Sequence, residues 1–126
     1  MHASILPKYR GAAPIQWSLM NGDSTTGVSV FQIEKKVDAG KIIIQENLNI
    51  DKNDNYEIIS NKLSNIGAMA LIKSLDLLEK GDVSFIQQNN SVFTNWGSGN
   101  VDNIPIVSET SDNLNSAVST LSVVDP

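Results

Sequence analysis

The chain of 126 residues contains no cysteine and one histidine, His2. Without cysteine there is no disulfide framework, no thiolate metal site and no thiol nucleophile. The absence fits a reducing compartment. Apolar runs stay well short of the ~20 residues that a membrane span needs, so no membrane association is expected. The start has no basic segment followed by an apolar one, so no secretory leader is expected. Lysine and arginine are missing altogether after Lys80. Residues 1–45 carry a charge of +2 and residues 46–126 a charge of −7, which gives the net −5. A nucleic-acid surface could therefore be built only from the first third, from Lys8, Arg10, Lys35, Lys36 and Lys41. Taken alone, those five read as a weakly basic solvated face. There is no internal repeat and no zinc, phosphate-loop or EF-hand spacing.

What is present suffices for at most one domain. Pro14 opens a short helix, Pro14–Met20, because proline at a first helical position loses no hydrogen bond and presets φ. Ile15, Leu19 and Trp17 are expected inward, and Gly22 suits a left-handed cap. Val28–Glu34 has apolar residues on both faces and reads as a central strand. Val37-Asp38-Ala39-Gly40 forms a turn. Lys41–Ile50 alternates, with Ile42, Ile44, Leu48 and Ile50 on one face and Gln45, Asn47 and Asn49 on a wet one. Glu46 falls on the apolar side and marks a bend or a polar edge. Asp54 and Glu57 have capping-box spacing and start a long helix. Its stripe runs Ile59, Leu63, Ile66, Ala70, Leu71, Leu75, Leu78. Gly81 ends it after Lys80, a cation placed where the helix dipole favours one. Gly67 lies inside and implies a close packing contact, since interior glycine otherwise weakens a helix. Val83–Phe93 is expected to hold a short strand. Beyond Trp96 there is no aromatic and no cation, so residues 98–126 read as a polar, disordered tail after a packed unit of 1–97.

The least ordinary stretch is His2-Ala3-Ser4-Ile5-Leu6-Pro7-Lys8-Tyr9-Arg10-Gly11-Ala12-Ala13-Pro14-Ile15. A lone histidine at position 2 reads as a frayed terminus unless something specific supports it. Here the run His-x-Ser-x-Leu-Pro-x-Tyr-Arg-Gly-Ala-x-Pro-Ile resembles the signature of the 10-formyltetrahydrofolate-dependent formyltransferases. Tyr9 to Gln16 looks most like the methionyl-tRNA branch. A second block, Gly27-Val-Ser-Val and then Val37-Asp38-Ala39-Gly40-Lys-Ile-Ile, resembles that family's next strand and loop. Asp38 follows His2 by 36 positions, in that family's register. The resemblance runs from His2 to about Gly81.

That resemblance implies an α/β fold: the C-terminal half of a Rossmann-like formyltransferase domain, built from a short helix, two strands and a long helix. It implies transfer of a formyl group from 10-formyltetrahydrofolate to the amino group of initiator methionyl-tRNA. His2 would be the acid–base residue, and Asp38 would hydrogen-bond and orient its ring. Ser4, Ile5, Leu6 and Pro7 would form a stiff edge against the folate, although core packing also explains Ile5 and Leu6. Tyr9 and Arg10 receive no catalytic role. The setting implied is a bacterial cytoplasm or a mitochondrial or plastid matrix. The family's third catalytic residue, an asparagine two positions before the histidine, would precede Met1, as would the first half of the sheet. The expectation is therefore a partial domain, weakly active or inactive alone, with a complementary N-terminal half as partner. The rival readings are a sugar-nucleotide or glycinamide-ribotide formyltransferase, and a non-catalytic remnant that acts as a binding module.

Overall fold

A computed structural model describes residues 1–92. The domain boundary expected near residue 97 and the expected tail lie outside the described residues. The order is α1 (Pro14–Met20), β1 (Thr25–Phe31), β2 (Ile42–Asn49) and α2 (Tyr56–Lys80), followed by a 3-10 turn at Asn90–Val92. This is the short helix, two strands and long helix expected.

β1 and β2 are antiparallel, with Thr25 opposite Asn49 and Val30 opposite Ile44. The register then shifts so that Phe31 meets Ile42, leaving Ile43 as the extra residue of a bulge. β1 starts earlier than its apolar run implies, because Thr25, Thr26 and Gly27 pair with the end of β2. It also stops earlier: Ile33 is 93% exposed. The other edge of β1 is taken by the N-terminus. His2 N–H donates to the Ser29 carbonyl (2.8 Å), and Ser29 N–H donates to the His2 carbonyl (2.9 Å). β1 is thus central, as its two-faced burial requires.

The core gathers Ile15 of α1, Val28 and Val30 of β1, and Ile59, Leu63 and Ala70 of α2. Ile59 is fully buried. Removing such a side chain from water is worth about 1.5–3 kcal/mol. Gly67 sits where α2 crosses the sheet: an added Cβ would stand 2.5 Å from the Met1 sulfur and 3.5 Å from a Val28 methyl. Its close packing contact is therefore with the first residue of the chain and the middle of β1.

Four local expectations change. Asn55, not Asp54, caps α2, its side chain accepting from Ile58 N–H. The Asp54 carboxylate instead accepts from Asp51 N–H and from Lys62 Nζ. The buried stripe of α2 runs Ile59, Leu63, Gly67, Ala70, Ser74, while Leu71, Leu75 and Leu78 are exposed. A spacing of four, four, three and four keeps this face on one side, and the leucines lie off it. Val83–Phe93 forms no strand; Ile86 makes one isolated bridge to Ile42. Gln45 is half-buried rather than wet. Glu46 lies on a polar edge, 3.7 Å from Lys73 Nζ. Among the described residues no helix is long and apolar enough to cross a membrane.

Candidate active site

The site lies on the face of β1 opposite the core, because Ser29 alternates with Val28 and Val30. Its backbone groups point to His2, so its pairing with Gln45 carries no backbone hydrogen bonds, which brings the two side chains close. Gln45 Nε2 donates to Ser29 Oγ (2.9 Å) and to the Leu6 carbonyl (2.8 Å). Ser29 Oγ donates to the Ser4 carbonyl (2.7 Å) and accepts from Leu6 N–H (3.0 Å). One polar pair across β1 and β2 thus fixes the segment that leads away from His2.

His2 is anchored through its main chain and oriented through its ring. Nε2 lies 2.7 Å from the Tyr9 carbonyl. A carbonyl can only accept, so Nε2 carries a proton. Nδ1 then faces Asp38 Oδ2 at 3.6 Å. That separation is an ion-pair distance, longer than a hydrogen bond. Asp38 Oδ2 is itself engaged, accepting from Gly11 N–H at 2.8 Å. The side chains of His2 and Asp38 are 11% and 20% exposed, so both reach solvent from a sheltered place. Asp38 has φ +50°, a left-handed conformation that a non-glycine residue rarely adopts.

The loop 4–13 is tied down on its far side. Ser4 Oγ donates to the Lys8 carbonyl. Lys8 Nζ and Tyr9 Oη both donate to Asp23 Oδ2 (2.8 Å each), and Asn21 Nδ2 donates to Tyr9 Oη (2.8 Å). Burial, helped by the Asp23 contact, pushes the Tyr9 phenol up. For Lys8, burial is the largest single influence and pulls down, but the contacts with Asp23 and Tyr9 together outweigh it and the net direction is up. Burial lowers Arg10 despite the opposing charge of Asp38.

The four residues of the expected folate edge divide by side. Ser4 and Leu6 are buried and hold the turn. Ile5 and Pro7 are half-buried and supply its outer surface, with Ile5 reaching over Gly27. Sequence reasoning brought His2 and Asp38 forward, gave Arg10 no catalytic role, and passed over Ser29, Gln45 and Gln88. A signal existed for Ser29: a hydroxyl inside a buried strand needs a partner. Gln88 carried none, since it lies beyond the long helix. Among the described residues no cluster of three or more histidine and acidic side chains could hold a metal ion.

A family model described as "Formyl transferase" matches residues 1–75. The methionyl-tRNA formyltransferase of Thermodesulfovibrio yellowstonii is 48% identical over 84 residues, 67% of this chain and 27% of that protein. The methionyl-tRNA formyltransferase of Chlorobium limicola is 44% identical over 92 residues, 73% of this chain and 29% of that protein. The chain thus spans less than a third of the length of these relatives. Among solved structures, a sugar 3N-formyl transferase determined with dTDP and 5-N-formyl-THF superposes with a TM-score of 0.72 at 24% identity, over 84% of this chain and 38% of that one. A formyltransferase from Anoxybacillus kamchatkensis, in complex with a UDP-linked formamido sugar and tetrahydrofolate, gives a TM-score of 0.65 at 25% identity, over 95% and 61% of the two chains. With the family model covering more than half of its residues, this chain belongs to the formyl transferase family.

Proposed function

We propose that this chain supplies the C-terminal half of the catalytic domain, with His2 and Asp38, of a methionyl-tRNA formyltransferase, which moves a formyl group from 10-formyltetrahydrofolate to the amino group of initiator methionyl-tRNA. The observation that carries the reading is the meeting of His2 and Asp38 at 3.6 Å from two separate sequence blocks. The 10-formyl donor supplies an activated one-carbon unit on nitrogen. With Nε2 committed to the Tyr9 carbonyl, His2 Nδ1 takes the proton as the amine nitrogen bonds to the formyl carbon, and returns it to the folate nitrogen as the bond from that nitrogen to the formyl carbon breaks. This shuttle needs a group that gains and loses a proton near neutral pH, and the imidazole is the one such side chain in the sequence. Asp38 stands on the Nδ1 side at 3.6 Å and orients the ring there. The Tyr9 carbonyl fixes the other nitrogen and hence the ring plane.

The donor fits the outer side of the 4–7 turn. Ile5 and Pro7 offer half-exposed apolar surface suited to a flat aromatic ring, while Ser4 and Leu6 hold that surface in place from below. A complementary N-terminal half completes the pocket in this reading, and the working compartment is a bacterial cytoplasm or an organelle matrix. The sequence relatives favour methionyl-tRNA as acceptor, whereas the fold is shared with sugar formyltransferases.

The acceptor is tested by joining the chain to the preceding portion of the Thermodesulfovibrio relative and offering three amines with 10-formyltetrahydrofolate. Formylation of methionyl-tRNA, with none of a dTDP-amino sugar or of glycinamide ribotide, is expected. Formylation of either small amine in preference to methionyl-tRNA overturns the reading.

A further inference from the structure

Gln88 lies 50 residues from Asp38, past the end of α2 and outside the residues matched by the family model. It is 4% exposed, and its amide is saturated. Oε1 accepts from Arg10 Nε (3.0 Å) and Nη2 (2.6 Å). Nε2 donates to the main-chain carbonyls of Asp38 (2.8 Å) and Gly40 (2.7 Å). Guanidinium only donates and carbonyls only accept, so the amide has one permitted orientation. Arg10 is held in turn by Asn90 Oδ1 (3.0 Å). On the other side of the loop, a Cβ on Gly40 would collide with the Gln32 carbonyl oxygen. The loop is therefore pinned between Gln32 and Gln88, with Asp38 in its left-handed conformation.

We infer that Gln88, aimed by Arg10, is a positioning residue that sets the Asp38 carboxylate opposite His2. Consecutive residues of the N-terminal motif hold Asp38 at two points. Arg10 acts through Gln88 on its main-chain carbonyl, and Gly11 N–H acts directly on its carboxylate. A strained aspartate that carries one hydrogen bond to its side chain and one to its carbonyl stays placed only while both persist. The family reading assigns Asp38 a role but leaves open what holds it; the inference rests on that reading for its catalytic consequence only.

Gln88→Glu provides the sharpest test. The carboxylate keeps the shape and the Arg10 contact, but sets an acceptor against the two loop carbonyls. In the 126-residue chain, the amide proton of Gly11 reports the Asp38 contact by NMR. In Gln88→Glu and in Gln88→Leu it is expected to lose its carboxylate-induced downfield shift and its exchange protection, while the amides of Ile59 and Leu63 keep theirs. If either variant unfolds and the core amides lose protection too, Asn90→Ala replaces it. That exposed site loosens Arg10 alone, and a smaller change at Gly11 is expected. An unaltered Gly11 amide in the folded variants overturns the inference, whatever the chain's activity. In the joined enzyme, Gln88→Glu is expected to lower kcat by about 10- to 100-fold through misplacement, with KM for both substrates nearly constant. A rise in KM with kcat intact assigns Gln88 to binding instead and also overturns the inference. Absence of formyl transfer in the wild-type joined enzyme bears on the functional reading and leaves the Gly11 result standing.

Discussion

The two faces of β1 are one residue apart in sequence and opposite in chemistry. Val28 and Val30 pack with Ile59 and Leu63 of α2 in a predominantly apolar face. Ser29, between them, is equally buried, yet its face is made of directed hydrogen bonds to His2, Ser4, Leu6 and Gln45. The apolar face supplies stability and tolerates any filling of the right volume. The polar face fixes positions, since each of its bonds has one partner and one direction. A site that must hold His2 opposite Asp38 belongs on the second.

Substitutions separate the two faces. Ile59→Ala should cost the most, about 2–5 kcal/mol by the transfer and cavity terms, seen as a lower denaturant midpoint. While the chain stays folded, the Gly11 amide signal should hold. Ser29→Ala should cost less, about 1–3 kcal/mol, because it leaves Leu6 N–H buried without its acceptor. Unlike Ile59→Ala, it should shift the amides of residues 4–7 in an NMR spectrum.

Tyr9→Phe removes one hydroxyl bridging Asp23 and Asn21 and should cost about 0.5–1.5 kcal/mol at neutral pH. Tyr9 and Lys8 are both raised in the folded chain. Their contribution is therefore complete below the unfolded values near about pH 10, and it fades as pH rises through the folded ones. Wild-type stability, followed by circular dichroism at increasing pH, should fall there, and Tyr9→Phe should fall less. Leu75→Gln should change stability by no more than about 0.5 kcal/mol, because Leu75 is 56% exposed. A loss near that of Ile59→Ala would restore the stripe that the spacing of leucines suggests.

Much of this was legible in the sequence, for identifiable reasons. Pro14 and Gly81 mark helix ends through backbone geometry, which is local, and both marks agree with the structure. The two blocks of the N-terminal half carried the family and the His2–Asp38 pair. Long-range matters were hidden. Leu75 and Ser74 differ by one position, and which of them faces inward depends on where α2 crosses the sheet. Asn55 displaced Asp54 as the cap because Lys62, two turns along, draws the Asp54 carboxylate away. The clamp on Asp38 needed Arg10 and Gln88, 78 residues apart, to be brought together by the fold. Gln45 looked wet by alternation, but its partner is a loop that alternation does not see.

In the proposed reaction the polar face of β1 presents His2 for proton transfer, with Asp38 orienting its ring. The most direct test is the single-turnover rate from 10-formyltetrahydrofolate to methionyl-tRNA in the joined enzyme, for wild type, His2→Ala and Asp38→Asn. A fall of about 100-fold or more in His2→Ala, with a smaller but clear fall in Asp38→Asn, is the result expected. Rates within a few-fold of wild type in both variants would contradict it.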